Sequence, residues 1–308
     1  MPRVSILLTC YNHLPYLQRA VDAILAQTYT DYEIVALDDG SKDGSREWLK
    51  EREAEGMLRC VFNQENLGTY ATLNVGLQEA RGEYIAILND DDLWAPTKLE
   101  RQVAMLDEHP KIGLVHTGGW FIGANDERLA DPKPLGFSYP STPTGDVLAL
   151  LIYHNRIITS SALVRRTCFE RCGPFEPSFF GSGDWQMWLR VAREFHVGHV
   201  PEDLTFYRVH DANASHQKEK INEDDARIRE WICTWQSDFA ARTQSEPDLY
   251  RAFAHNLACL GTERAWAGKP AEARRAYSAS LKMAPTRWKT YLRWVATFLP
   301  KSVFRKLS

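Results

Sequence analysis

The first 115 residues alternate two kinds of hydrophobic spacing. Short apolar runs fall at Val4 to Thr9, Glu33 to Leu37, Leu58 to Phe62, Tyr84 to Leu88 and Ile112 to Val115. Runs of this length predict strands that are covered on both faces. Between them, apolar residues recur at helical spacing. Leu14, Leu17, Val21, Ile24 and Leu25 share one face, and Pro15 sits near the start, where a missing N–H costs little. Further helices are predicted over about 43–53 and 69–80 and from Pro96 through Leu106. This β-α-β-α-β-α-β succession predicts an α/β fold with a mostly parallel, doubly wound sheet and right-handed crossovers.

The pattern then changes twice. Residues 125–145 are rich in Pro, Gly, Asp, Ser and Thr and read as a long loop. A mixed segment follows, with a helix near Asp146 to Tyr153, a strand near Ser161 to Val164 and a helix from about Asp184 to Phe195. Trp185, Trp188, Leu189, Ala192 and Phe195 give that last helix one apolar face. From about Asn222 the strand signals stop, and the rest is predicted to be helical, with a turn at Gly268-Lys269-Pro270. The expected division is a domain over 1–220 and an all-helical C-terminal extension over 221–308.

Composition narrows the function classes. The 37 Lys and Arg against 40 Asp and Glu leave a net charge of −3, so no global basic field favours nucleic acid. No run reaches the length of a membrane-spanning helix, and the N-terminus lacks the features of a signal peptide. The six cysteines form no CxxC pair, which predicts reduced thiols in a cytoplasmic protein rather than a zinc site or a disulfide framework. The tail is different. Ala273 to Ser308 carries nine Lys or Arg and no Asp or Glu, interleaved with Trp288, Tyr291, Leu292, Trp294, Val295, Phe298 and Leu299. It reads either as a peripheral membrane-surface patch or as a helical cap packed on the catalytic domain or on a second subunit.

Two acidic clusters, Asp38-Asp39 and Asp90-Asp91-Asp92, fall at predicted strand carboxyl ends. In open α/β sheets that is where ligands bind. Three adjacent carboxylates repel unless they are solvated or neutralised by a cation. A Mg²⁺ or Mn²⁺ ion uses one or two such groups and fills its other positions with water and phosphate oxygens. The cluster therefore reads as a metal–diphosphate site, or else as an acidic loop in which Asp92 caps the next helix. Thr9 closes the first strand. Tyr11 can stack on a base, Asn12 can cap the following helix, and Asp39 can accept a base N–H; ordinary turn chemistry also accounts for Tyr11 and Asn12. Asp184 opens an aromatic-faced helix after two glycines and reads either as a capping residue or as a general base.

In combination these blocks resemble an inverting family 2 glycosyltransferase of GT-A fold, over roughly residues 1 to 215. The likeness rests on Val4 through Asn12, Gln27-Thr28-Tyr29 with Asp38-Asp39-Gly40-Ser41, Asn66-Leu67-Gly68 with Asn74 and Gly76, Asn89 through Trp94, Gly183-Asp184-Trp185 with Trp188-Leu189-Arg190, and Tyr207 through His210. The resemblance implies that Thr9, Tyr11, Asn12, Asp39, Asn66 and Asp90 bind the nucleotide, with uracil or thymine as base. It implies that Asp91 binds the divalent metal, that His210 faces the metal or the diphosphate, and that Asp184 is the base. Partners would be a nucleoside-diphosphate sugar and a glycan or lipid-linked acceptor, in polysaccharide assembly. Three positions depart from the pattern: Asn89 and Gly183 stand where acids are common, and Leu73 stands where a basic residue is frequent. A sugar-1-phosphate nucleotidyltransferase is the first rival, but Thr9 to Pro15 has no Lys, Arg or Gly with which to grip a triphosphate. The second rival is a non-catalytic sugar-nucleotide binder.

Overall fold

In the computed structural model, residues 1–235, 237–239 and 246–299 are described. The chain divides into two compact units, one built from Met1–Val147 and Arg156–His216, the other from Leu148–Asn155 and Gln217–Ser308. The helical unit thus starts at 217 rather than 221 and also takes in residues 148–155, which the sequence placed with the first domain.

The first unit is built on an eight-stranded sheet. Its strands are β1 (Val4–Cys10), β2 (Tyr32–Asp38), β3 (Arg59–Phe62), β4 (Tyr84–Asn89), β5 (Leu93–Trp94), β6 (Ile112–Ile122), β7 (Leu163–Arg165) and β8 (His196–Arg208). Their order is β3-β2-β1-β4-β7-β6-β8-β5. The pairs β1–β2, β1–β4, β2–β3 and β6–β8 are parallel. β7 runs antiparallel between β4 and β6, and β5 pairs antiparallel with β8. The sheet is therefore mixed with a parallel majority. Val4, Ile6, Leu7 and Leu8 are all buried, as expected for a strand with helices on both faces.

Helices α1 (Leu14–Leu25), α2 (Ser45–Ala54), α3 (Thr69–Glu79) and α4 (Lys98–Glu108) cover this sheet. α1 turns Leu17, Ala20, Val21 and Ile24 inward. Between 123 and 147 the chain forms no helix or strand element, only isolated bridges at Arg128 and Gly145. The predicted strand at 112–115 is the first part of the longer β6. β8 was not predicted as a strand: Pro201-Glu202-Asp203 interrupts its apolar pattern, and the β6–β8 register shifts beside that stretch. Two more helices complete the unit, α6 (Arg166–Cys172) and α7 (Gly183–Glu194).

The second unit contains α5 (Leu148–Tyr153), α8 (Lys218–Cys233), α9 (Pro247–Trp266), α10 (Pro270–Met283) and α11 (Trp288–Ala296). Gly261 lets α9 approach Tyr277 of α10, since an added Cβ would lie 2.7 Å from that ring. All six cysteines are free thiols. Among the described residues, no helix is long and apolar enough to cross a membrane.

Candidate active site

Parallel pairing brings the carboxyl ends of β1, β2 and β4 side by side, and with them the sequence-predicted residues. The Thr9 hydroxyl donates to Asn89 Oδ1 at 3.1 Å. The backbone N–H of Tyr11 donates to Asp90 Oδ2 at 2.9 Å. The Tyr11 ring is 43% exposed and so is open to a ligand. Asn12 adopts a left-handed φ of 57°, accepts Lys42 N–H on its side-chain oxygen at 2.7 Å and donates its own N–H to Ser41. It does not cap α1. That task falls to Asp43, whose Oδ2 accepts Leu14 N–H at 2.9 Å.

Asp39 is nearly buried and organises the neighbouring loop. Its Oδ1 accepts from Asn63 Nδ2, Leu67 N–H and the Thr72 hydroxyl, and its Oδ2 from Gly68 N–H, all within 2.8–2.9 Å. A carboxylate offers about four acceptor positions, two per oxygen, so Oδ2 keeps capacity for one more donor. Asn66 stands in the same loop and accepts Gly68 N–H at 3.0 Å. Gly40, at φ +81°, allows the two loops to touch, because a Cβ there would lie 3.0 Å from the backbone of Glu65.

The three aspartates after β4 have different partners. Asp90 pairs with Tyr11 N–H and, at 3.0 Å, with His13 Nδ1. Burial lifts the Asp90 carboxyl above its ordinary range, and the hydrogen bond to Asp90 raises His13. Asp92 is buried and accepts the Ser160 hydroxyl at 2.5 Å and Arg208 N–H at 2.9 Å. Burial lifts it strongly. It does not cap the next helix; it joins the β4 end to β8. Asp91 remains. Its Oδ2 meets His210 Nε2 at 3.1 Å and Asn213 Nδ2 at 3.3 Å. Among the described residues nothing bonds its Oδ1.

The Asp91–His210 pair could hold a divalent ion whose other positions a diphosphate and water would fill. No group of three such side chains is assembled among the described residues.

Arg208 fixes this corner. It is fully buried, and its guanidinium donates to the Asp91 carbonyl at 2.7 Å, the Gly123 carbonyl at 2.6 Å and Asp126 Oδ1 at 2.5 Å, while lying 4.6 Å from the centre of the Tyr16 ring. The rings of His13, Tyr16 and His210 pack within 5.0–6.0 Å of one another. The sequence reading assigned no role to His13 or Arg208. The only signals were His13's place two residues after Tyr11 and Arg208's place inside the Tyr207–His210 block.

Asp184 lies in the first turn of α7, after Ser182 in the capping position. Its Oδ1 accepts Trp185 N–H at 2.7 Å and its Oδ2 accepts the Thr159 hydroxyl at 2.8 Å. The next residue, Ser160, bonds Asp92 and accepts Asn89 N–H. One dipeptide thus ties Asp184 to the acidic turn after β4, although Asp92 and Asp184 lie 92 positions apart in sequence. Neither Thr159 nor Ser160 was foreseen. Tyr70 of α3 also reaches this place: a Cβ on Gly183 would meet its ring at 2.7 Å. Leu73, where a base is frequent, is fully buried.

Comparisons with known proteins follow from this geometry. The fold is that of GT-A glycosyltransferases. TarS of S. aureus, residues 1–349, in complex with UDP-GlcNAc superposes with a TM-score of 0.71 at 15% identity, covering 100% of this chain and 90% of that one. The mannosyltransferase PcManGT from Pyrobaculum calidifontis, in complex with GDP-Man and Mn²⁺, gives 0.61 at 20% identity, covering 99% and 86%. The model of glycosyl transferase family 2 matches residues 5–172. A glycosyltransferase of Nostoc, itself uncharacterized, is 31% identical over 222 residues, 68% of this chain and 66% of its own length. A second, from Rickettsia typhi, is 29% identical over 257 residues, 83% of this chain and 77% of its own. The chain belongs to glycosyl transferase family 2, and it is a glycosyltransferase.

Proposed function

We propose that the protein is an inverting transferase that moves a hexosyl group from a UDP- or dTDP-sugar to a hydroxyl of a glycan or lipid-linked acceptor, in the assembly of cell-surface polysaccharide. The observation that carries this reading is Asp184: a nearly buried carboxylate on a helix start, held by Thr159 and joined through Ser160 to the acidic end of β4. The sugar-nucleotide complex of TarS supports the donor class.

In this reading Tyr11 stacks on the base, and Asp39 Oδ2 accepts its ring N–H. Thr9, Asn12 and Asn66 shape the wall around the nucleoside, and Asp90 fixes the Tyr11–His13 turn. Asp91 and His210 would hold the divalent ion, and Arg208 keeps the Asp91 backbone in place. When bound, that ion offsets charge developing on the diphosphate. Asp184 takes the proton from the acceptor hydroxyl as its oxygen bonds to the anomeric carbon. The bond from that carbon to the diphosphate breaks on the opposite face. The configuration inverts, and no covalent sugar–enzyme intermediate forms.

The test is donor turnover. UDP- and dTDP-sugars are screened for metal-stimulated transfer or hydrolysis, with Asp184→Asn in parallel. Turnover that vanishes in the variant while nucleotide binding persists supports the assignment. Full turnover in the variant, or none with any donor in the native protein, overturns it.

A further inference from the structure

The C-terminal unit presents an amphipathic helix with its faces inverted. In α11 and the turn after it, the packing side is made by Thr290, Ala296 and Thr297, with Trp294 half-buried against Ala265, Ala273 and Tyr277. The side facing solvent is the more apolar one. Trp288 is 63% exposed, Leu292 60%, Val295 57% and Phe298 64%, and Tyr291 and Leu299 lie beside them. At about 100° of turn per residue, those six positions occupy an arc of roughly 120°. Phe298 meets Trp294 and the Arg274 guanidinium at its edge, but Trp288, Leu292 and Val295 are turned outward while Thr and Ala take the helix's own core. Contiguous exposed apolar surface of this kind marks an interaction site.

Charge selects the occupant. Lys289 is exposed on one flank of the stripe, whereas Arg287 at the helix start is partly buried, with its Nη2 at 2.9 Å from His255 Nδ1. From Ala273 to Ser308 the chain has nine Lys or Arg and no acid. A second copy of the chain, docked stripe to stripe about a two-fold axis, would set these bases against each other with no local carboxylate to pair them. A free phosphate polymer satisfies the bases but not the aromatic and aliphatic face. An anionic lipid bilayer satisfies both: acyl chains take the apolar arc, and headgroups meet Lys289 and the basic surplus of this segment. Trp and Tyr favour that depth, because their rings have an apolar body and a polar edge. We propose that the outward face of α11 is a docking surface for an anionic lipid bilayer.

The full chain is floated with vesicles of phosphatidylcholine alone and of phosphatidylcholine with one third phosphatidylglycerol, at low and raised salt. The expected result is strong binding to the anionic vesicles, little to the neutral ones, and weakening with salt. Leu292→Glu with Val295→Glu changes only exposed positions and should reduce anionic binding at least tenfold, with an unchanged circular dichroism spectrum. Lys289→Gln should weaken it about fivefold, the usual worth of one base near such a surface. Three results would each overturn the proposal: no anionic binding by the native chain, equal binding to neutral vesicles, or full binding by the double variant. Sedimentation velocity without lipid supplies the remaining arm. A dimer that the double variant dissociates would assign the face to a second copy instead.

Discussion

The Thr159 hydroxyl donates to Asp184 Oδ2 at 2.8 Å, so the carboxylate proposed as base is aimed by a residue outside its own helix. Two consequences follow. Asp184→Asn keeps the shape but cannot take a proton, and kcat should fall by roughly 10²–10⁴. Nucleotide affinity, measured by calorimetry, should stay within about threefold; equal loss of both would assign Asp184 to structure alone. Thr159→Val removes one of the hydrogen bonds that orient the carboxylate and leaves the Trp185 N–H bond, so kcat should fall less, with KM for the donor unchanged.

Arg208 concentrates three backbone and side-chain anchors in one buried guanidinium. Arg208→Met removes the charge and strands the carbonyls of Asp91 and Gly123. A loss of about 3 kcal/mol in stability is expected, measured by urea unfolding. Arg208→Lys restores the charge but not the fork, and should recover only part of that loss.

Asp91 and His210 can be separated from their aspartate neighbours. Asp91→Asn should lower Mn²⁺ affinity, measured with the nucleoside diphosphate present, by roughly 100-fold or more. His210→Ala should act in the same direction. Asp92→Asn should leave metal affinity near native and weaken folding, because Asp92 bonds Ser160 and Arg208 rather than solvent. Native metal affinity in Asp91→Asn would remove the ion from this corner.

His116 gives the first unit a pH signature. It is buried, stacked on His199 and bonded to Thr142, and burial pushes it down to about 3. The unfolded chain takes its proton near pH 6.5, while the folded chain does not until about 3. Between those values the unfolded state holds more protons, so stability is present above pH 6.5 and is lost as pH falls, by at most about 1.4 kcal/mol per pH unit from this group. Thermal melts from pH 7.5 to 5 should show the slope, and His116→Gln should flatten it.

The sheet and its acidic ends were legible because the apolar runs of β2 and β4 give way directly to acids, so Asp38-Asp39 and Asp90-Asp91-Asp92 marked their own positions. What was not legible depends on contacts that carry no period. β8 was hidden by Pro201-Glu202-Asp203, a polar stretch that a bulge accommodates. Arg208 looks like any basic residue in a strand until its carbonyl partners are seen. Thr159 and Ser160 form a single short turn, Thr159–Ser161, too brief for any spacing signal. The tail's interleaved bases and apolar residues were plain, but spacing cannot tell which side of a helix faces inward, and in α11 the core took the less apolar side.

Tyr70 fills the space above Gly183, and that has a historical implication. A side chain at 183 would meet the Tyr70 ring at 2.7 Å, so the phenol must move or shrink for one to fit. Changes at 70 and 183 should therefore arrive together across relatives, with small residues at 70 accompanying glutamate at 183 and bulky rings accompanying glycine.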